Sequence, residues 1–298
     1  MNLLEYLKQY ADVLCDEPLA KHTTFRIGGT CDYFVYPKTV LSFMRIMQLL
    51  KEQEVPFQIF GKGSNLLCSD DAYHGVVVCL DRYLNNFYFE EDGTLVAEAG
   101  CSIILLAQEA MRHSFSGLEF ASGIPGTLGG TVSMNAGAYE KEMKDIVNSV
   151  RILTQEGEIT EISNAEMAFG YRTSAVLKNN WIVLGATLQL QQDDPVEIQA
   201  RIDDFTHRRR TRQPLEYASA GSTFKRPEGF FAAKLIDDAG MKGYSVGDAQ
   251  VSEKHAGFVV NKGKASAEDV LVLMSRIQAA VKEKFGVDLK PEVRIIGE

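Results

Sequence analysis

The chain has 298 residues, 45% hydrophobic and 24% charged, enough for about two globular domains with a substantial core. Its formal net charge of −9 argues against a general nucleic-acid or membrane-surface binder, so any anion site must be a local gathering of positive charge. The N-terminus carries Glu5, Lys8, Asp12 and Asp16 where a signal peptide would be apolar, and no run reaches membrane-spanning length, so a cytoplasmic protein is expected.

Leu3, Leu4, Leu7 and Leu14 recur at helical spacing and predict a first amphipathic helix. An extended segment over 23–29 ends in a turn and leads into a strand over 32–36. Pro37 and Lys38 open a helix to about residue 54, with Val40, Phe43, Met44, Met47 and Leu50 on one face. Strands follow over 57–60, 75–80, 87–90 and 95–99, then a helix over 102–113 with Ile103, Leu106 and Ala110 correctly spaced. Residues 123–139 hold five glycines and one proline, too many for a stable helix or strand. Beyond them come strands over 147–154, 158–162 and 181–190, and a helix over 194–209. Residues 214–227 are irregular and polar. A helix over 230–239, a strand over 256–260, a helix over 266–285 and a strand over 292–296 complete the chain. Some neighbouring strands are joined by hairpin-length turns, as at Glu156-Gly157, which favours an α+β fold with mixed sheets. Boundaries near Pro56 and Pro214 divide the chain into 1–56, 57–213 and 214–298.

The glycine-rich stretch offers bare backbone N–H groups to an anion, with the hydroxyls of Thr127, Thr131 and Ser133 beside them. A shorter loop, Gly61-Lys-Gly-Ser-Asn65, follows a strand. Neither has Walker or dinucleotide-fingerprint spacing. Together they suggest a large phosphorylated ligand held from two sides; two structural turns are the alternative. Cys15, Cys31, Cys68, Cys79 and Cys101 are scattered like reduced thiols, and the five histidines show no metal-ligand spacing. Four further groups could carry chemistry: Phe169-Gly-Tyr-Arg-Thr-Ser174, His207-Arg-Arg-Arg-Thr-Arg212, Ala220-Gly-Ser-Thr-Phe-Lys-Arg-Pro227 and Pro291-Glu-Val-Arg294. Singly, each has a plain structural reading: a surface Arg–Tyr pair, a basic helix end, a loop serine, a strand-end glutamate. Ser222 lacks the Gly-x-Ser-x-Gly elbow of a nucleophile. The residues by themselves yield a phosphate-bearing ligand and no reaction.

Taken in order, Gly61-Lys-Gly-Ser-Asn65, Gly123-Ile-Pro-Gly126 running into Asn135-Ala-Gly-Ala-Tyr139, Gly170-Tyr-Arg172, Gly221-Ser-Thr-Phe-Lys225, Gly247-Asp-Ala-Gln-Val-Ser-Glu-Lys-His-Ala-Gly257 and Pro291-Glu292 resemble the UDP-N-acetylenolpyruvoylglucosamine reductase (MurB) family. The short chain and the form around Ser222 resemble its type II branch, which lacks an inserted substrate-covering loop. The resemblance implies a vanillyl-alcohol-oxidase-type FAD-binding domain of two α+β subdomains (1–56 and 57–213) and a smaller C-terminal α+β substrate domain (214–298). It implies non-covalent FAD held by Gly61, Lys62, Gly63, Ser64, Asn65, Leu66, Gly123, Ile124, Pro125, Gly126, Thr127, Gly129, Gly130, Thr131 and Asn135.

The resemblance also implies an activity. NADPH would reduce FAD and leave, and UDP-N-acetylglucosamine enolpyruvate would then be reduced to UDP-N-acetylmuramate for peptidoglycan precursor synthesis. Hydride reaches the vinyl terminus, Ser222 protonates the carbon beside the carboxylate, and Arg172 and Glu292 stabilise the enolate-like charge. Glu292 helps there only if it is protonated or shares a proton. Tyr139, Tyr171, Arg210, Arg226, Gln250 and His255 are the substrate-side candidates. The expected partners are small molecules, with no nucleic acid, membrane or metal. Two alternatives stay open: another FAD oxidoreductase of this fold acting on a hydroxy acid or alcohol, and a non-enzymatic sugar-nucleotide binder.

Overall fold

Asn2 Oδ1 accepts the Leu4 N–H at 3.1 Å and starts a helix over Leu3–Tyr10 in the computed structural model, which describes residues 2–297. The helix stops earlier than the leucine spacing predicts. Leu14 lies instead on a strand, Ala11–Pro18, which joins a sheet in the order Ala11–Pro18, Thr30–Pro37, Tyr73–Cys79, Phe57–Phe60. Sheet pairing outweighs the local helical preference of a single leucine. Phe57–Phe60 runs parallel to Tyr73–Cys79, with Phe60 opposite Cys79. Thr39 Oγ1 accepts the Ser42 N–H at 3.0 Å and caps the helix Val40–Glu52, which buries Phe43, Ile46, Met47 and Leu50 at helical spacing. Each such side chain contributes roughly 1.5–3 kcal/mol when fully buried.

By contact the chain divides into two units: Met1–Cys15, Tyr33–Gly61 and Gly75–Arg209 in the first; Asp16–Asp32, Lys62–His74 and Arg210–Glu298 in the second. The first also holds an antiparallel five-stranded sheet, ordered Ile159–Ser163, Val147–Leu153, Ile182–Gln189, Thr94–Glu98, Phe87–Phe89. The helix Ile103–Arg112 buries Ile103, Leu106, Ala107 and Ala110 in the same core. One expectation fails here, since part of the glycine-rich stretch is a helix, Leu128–Ser133. Tertiary packing explains it. A Cβ on Gly129 would lie 3.0 Å from Ala99 Cβ, so glycine allows a close approach to the sheet. Thr131 and Ser133 donate their hydroxyls back to Leu128 O and Gly129 O at 2.9 and 2.7 Å.

The second unit has its own core, including Phe25, Leu67, Ile236, Val251, Leu273 and Ile277. A short antiparallel sheet runs in the order Ala218–Ser219, Val259–Asn261, Ala249–Val251, Ser245–Val246, and Arg294–Ile296 pairs parallel to Leu66–Cys68. The helix Ala267–Phe285 opens on a Ser266/Asp269 capping box and closes on Gly286 at φ +68°. The expected strand over 256–260 starts later, at Val259, because His255 Nδ1 accepts the Gly257 N–H at 3.1 Å and makes a turn there.

Candidate active site

Arg172 stands at the corner of a tight turn. Gly170 and Thr173 exchange backbone hydrogen bonds of 3.0 and 3.3 Å, which leaves Tyr171 and Arg172 at the tip. Arg172 has φ +53°, a value glycine or asparagine adopts more readily than arginine. A strained arginine is retained where its placement matters. Arg172 Nη2 donates to Gly137 O at 3.4 Å, and its guanidinium lies 5.0 Å from the exposed Tyr171 ring. Asn135 holds this turn. It is 0% exposed, donates Nδ2–H to Glu142 Oε2 at 2.6 Å and Gly170 O at 3.1 Å, and accepts the Lys144 N–H at 2.9 Å. Its side chain is therefore spent within the protein.

The two glycine loops touch within the first unit, where a Cβ on Gly61 would lie 2.4 Å from Thr127 Oγ1. Of the N–H groups beyond, those of Gly126, Leu128 and Gly129 donate to Ile124 O, Cys101 O and Ala99 O, and that of Gly130 reaches Thr127 Oγ1. Those of Gly123 and Thr127 donate to no protein acceptor among the described residues. Gly130 is exposed, while Thr131 is buried, Ile124 packs on the core and Pro125 is exposed. In the second unit, Gly63 has φ +59°, and a Cβ there would lie 2.1 Å from His22 O. The N–H groups of Gly63 and Ser64 are also unspent among the described residues. Lys62 is exposed, and Leu66 opens a strand. Unspent amides on bare backbone fit a pyrophosphate.

Arg209 is a residue the sequence reading passed over in favour of Arg210. Its Cδ and Nη1 come within 2.9 and 3.2 Å of a Cβ built on Gly123. Burial pushes its pKa down, and no carboxylate pairs with it among the described residues. One helical turn earlier Phe205 stacks on Tyr139, centroids 4.1 Å apart, and accepts the Tyr139 hydroxyl at 2.9 Å. Ile198, Phe205 and Arg209 share one helix face; that periodicity was a readable signal, hidden inside a run of like residues.

In the second unit Ser222 is exposed after Gly221 at φ +75°, and its hydroxyl has no protein partner among the described residues. Thr223 O accepts the Glu292 N–H at 2.8 Å, so the serine loop and the Pro291-Glu292 segment lie together. Asn65 Nδ2 donates to Glu292 O at 3.2 Å, which brings the first glycine loop to the same strand end. His255 is half-buried, and desolvation holds its imidazole below the ordinary value. Gln250 Nε2 donates to Gly243 O and Ser245 Oγ. Arg226 lies over Phe231, 4.0 Å from the ring centroid, and Arg210 is exposed with its carbonyl accepting from Lys254 Nζ at 2.8 Å. Arg172, Tyr171 and Tyr139 belong to the first unit, and Ser222, Glu292, Arg210, Arg226, Gln250 and His255 to the second.

A family model described as an FAD binding domain matches residues 31–163. The fold alone is shared with a reticuline dehydrogenase variant of berberine bridge enzyme, TM-score 0.52 at 12% identity over 65% of this chain and 44% of that one. With its helices and mixed sheets, the chain thus has the α+β fold of vanillyl-alcohol-oxidase-type FAD-binding proteins. A second model, the C-terminal domain of UDP-N-acetylenolpyruvoylglucosamine reductase, matches residues 213–296. The UDP-N-acetylenolpyruvoylglucosamine reductase of Clostridioides difficile is 49% identical over 100% of this chain and 97% of its own length. The crystal structure of the corresponding Thermus caldophilus reductase superposes with TM-score 0.81 at 33% identity, over 96% of this chain and 99% of that one. The chain belongs to the UDP-N-acetylenolpyruvoylglucosamine reductase family.

Proposed function

We propose that the chain uses NADPH to reduce UDP-N-acetylglucosamine enolpyruvate to UDP-N-acetylmuramate, in the cytoplasm, for peptidoglycan precursor synthesis. FAD, held without a covalent bond by the loops over 61–66 and 123–135, supplies hydride transfer when bound. Residues 1–56 and 57–213 serve the cofactor, and 214–298 serve the sugar nucleotide. The observation that carries the reading, beside family membership, is the exposed Ser222 hydroxyl, unpartnered among the described residues, on a loop where Thr223 O accepts the Glu292 N–H at 2.8 Å. A proton donor must offer its hydroxyl outward, and this loop does.

The roles follow from charge. Addition of hydride to the vinyl terminus leaves negative charge on the carbon beside the substrate carboxylate and on that carboxylate. Arg172, held rigid at its turn, stabilises this charge through a planar two-donor fork. Ser222 gives its proton to the carbon, and Glu292 acts with Arg172 on the substrate carboxylate. Asn135 acts one step removed by fixing the Arg172 turn. Arg209, desolvated and without an acid partner among the described residues, serves the anion that the unspent amides of Gly123 and Thr127 also favour. Tyr171, Arg210, Arg226, Gln250 and His255 remain the substrate-side residues, with Tyr139 bracing the helix that carries Arg209. Steady-state assay of NADPH consumption tests the reading. Dependence on the enolpyruvyl sugar nucleotide, with the lactyl ether as product, supports it. Consumption driven by a hydroxy acid or alcohol would point to another oxidoreductase of this fold.

A further inference from the structure

Thr223 follows the hydroxyl assigned to proton transfer, and it is only 4% exposed. All its polar groups are engaged. Its N–H donates to Gly257 O at 2.9 Å, its carbonyl accepts the Glu292 N–H at 2.8 Å, and its Oγ1 accepts the Val259 N–H at 2.9 Å. The following residues extend the same seam: Phe224 bridges Pro291, and the Lys225 N–H donates to Lys290 O at 2.8 Å. On the other side, Asn65 Nδ2 holds Glu292 O. On the N-terminal side, Gly221 has φ +75° and a Cβ there would meet nothing within 4 Å. Ser222 therefore sits between a glycine and a residue clamped by three hydrogen bonds.

Any residue at 223 could make the two backbone bonds. The third depends on the side chain. Val259 is 1% exposed and begins a central strand of the second unit's sheet. Without an oxygen at 223 its N–H would be a buried donor with no partner, and the loop would shift to relieve it. Such a shift carries Ser222 with it and alters its distance to Glu292. We propose that Thr223 is a positioning residue for the protonation step, its Oγ1 fixing the Ser222 hydroxyl relative to the Glu292 carboxyl. The proposal rests on the function given above. Its magnitude follows from geometry, since a misplacement of about 1 Å at a reacting group costs on the order of 100-fold in rate.

Thr223→Val is the informative change, because it keeps the branched shape and removes the acceptor. Rapid-mixing measurements on full-length FAD-loaded protein follow flavin reduction by NADPH and reoxidation by the enolpyruvyl sugar nucleotide separately. The expected result is unchanged reduction and reoxidation slowed by about 10- to 100-fold in maximal rate, with little change in half-saturating substrate. Thr223→Ser, which keeps the oxygen, should restore the rate. In a Ser222→Ala background, Thr223→Val should add no further loss, because the hydroxyl it positions is gone. If Thr223→Val does not fold, Thr223→Cys, a weaker acceptor of similar volume, should give an intermediate loss rescued by serine. Wild-type reoxidation by Thr223→Val, equal slowing of both half-reactions, or a full additional loss in the Ser222→Ala background overturns the proposal. If the wild-type reduced enzyme is not reoxidised by the enolpyruvyl sugar nucleotide, the function itself falls, and the proposal with it.

Discussion

Asn135→Ala would show how far the glycine-rich stretch builds the turn that carries Arg172. The substitution removes a donor to Glu142 Oε2 at 2.6 Å, a donor to Gly170 O at 3.1 Å and an acceptor from Lys144 N at 2.9 Å, all from a side chain in a 0% exposed residue. The charged-acceptor bond contributes about 1.5–3 kcal/mol and each neutral bond about 0.5–1.5 kcal/mol. Alanine must also hold φ +44°, which costs about 1–2 kcal/mol more than asparagine pays there. The expected loss is therefore about 3.5–8 kcal/mol, a large share of a typical stability of about 5–15 kcal/mol. Urea denaturation of FAD-loaded wild type and variant measures it, with an unchanged slope confirming that only stability moved. At temperatures where the variant is folded, reoxidation by the enolpyruvyl sugar nucleotide should still be slowed at least 10-fold, on the order of what a fraction of an ångström at Arg172 costs. A loss below about 1 kcal/mol with normal reoxidation would refute the assignment of Asn135 as the holder of this turn.

Five further outcomes are expected. Ser222→Ala should leave flavin reduction by NADPH near normal and slow the second half-reaction by about 100- to 10,000-fold, and equal slowing of both would assign the serine elsewhere. Arg172→Lys should be a poor replacement because an ammonium lacks the planar fork. Arg172→Ala/Glu292→Ala should be less impaired than the product of its single losses, which kinetic double-mutant analysis can check. Arg209→Met should raise the melting temperature of FAD-free protein by removing a desolvated charge, yet weaken FAD binding; weaker stability with unchanged FAD affinity would contradict its role. Desolvation lowers the His255 pKa, so its contribution to stability is complete above the unfolded value of about 6.5 and is lost as pH falls through the folded value. Denaturation curves of wild type and His255→Asn should thus converge on acidification, and a gap that widens instead would reverse that sign.

Strands and helices with steady apolar periods were legible to within a few residues, as at Phe57–Phe60 and Ala267–Phe285, because one face of each meets a core. The strand Ala11–Pro18 was not, since it is an edge strand whose residues alternate weakly and Leu14 continues the helical spacing of Leu3, Leu4 and Leu7. The helix Leu128–Ser133 ran against glycine's propensity, and the contact of Gly129 with Ala99 and the Thr127 cap account for it. At the site, motif order singled out Arg172, Ser222 and Glu292. Arg209 and Thr223, whose roles are proposed, escaped because what distinguishes them is contacts: a guanidinium turned against Gly123, and a hydroxyl accepting the Val259 N–H. Asn135 was readable as important from its setting, while the direction of its side chain was not.

The most direct test of the central claim is an anaerobic titration of the purified yellow protein. NADPH should bleach the flavin absorbance, and the enolpyruvyl sugar nucleotide should restore it at about one equivalent per flavin, as the proposed stoichiometry requires. Bleaching that is restored by a hydroxy acid's keto product but not by the enolpyruvyl sugar nucleotide, or a colourless protein that binds the sugar nucleotide without turnover, would contradict it.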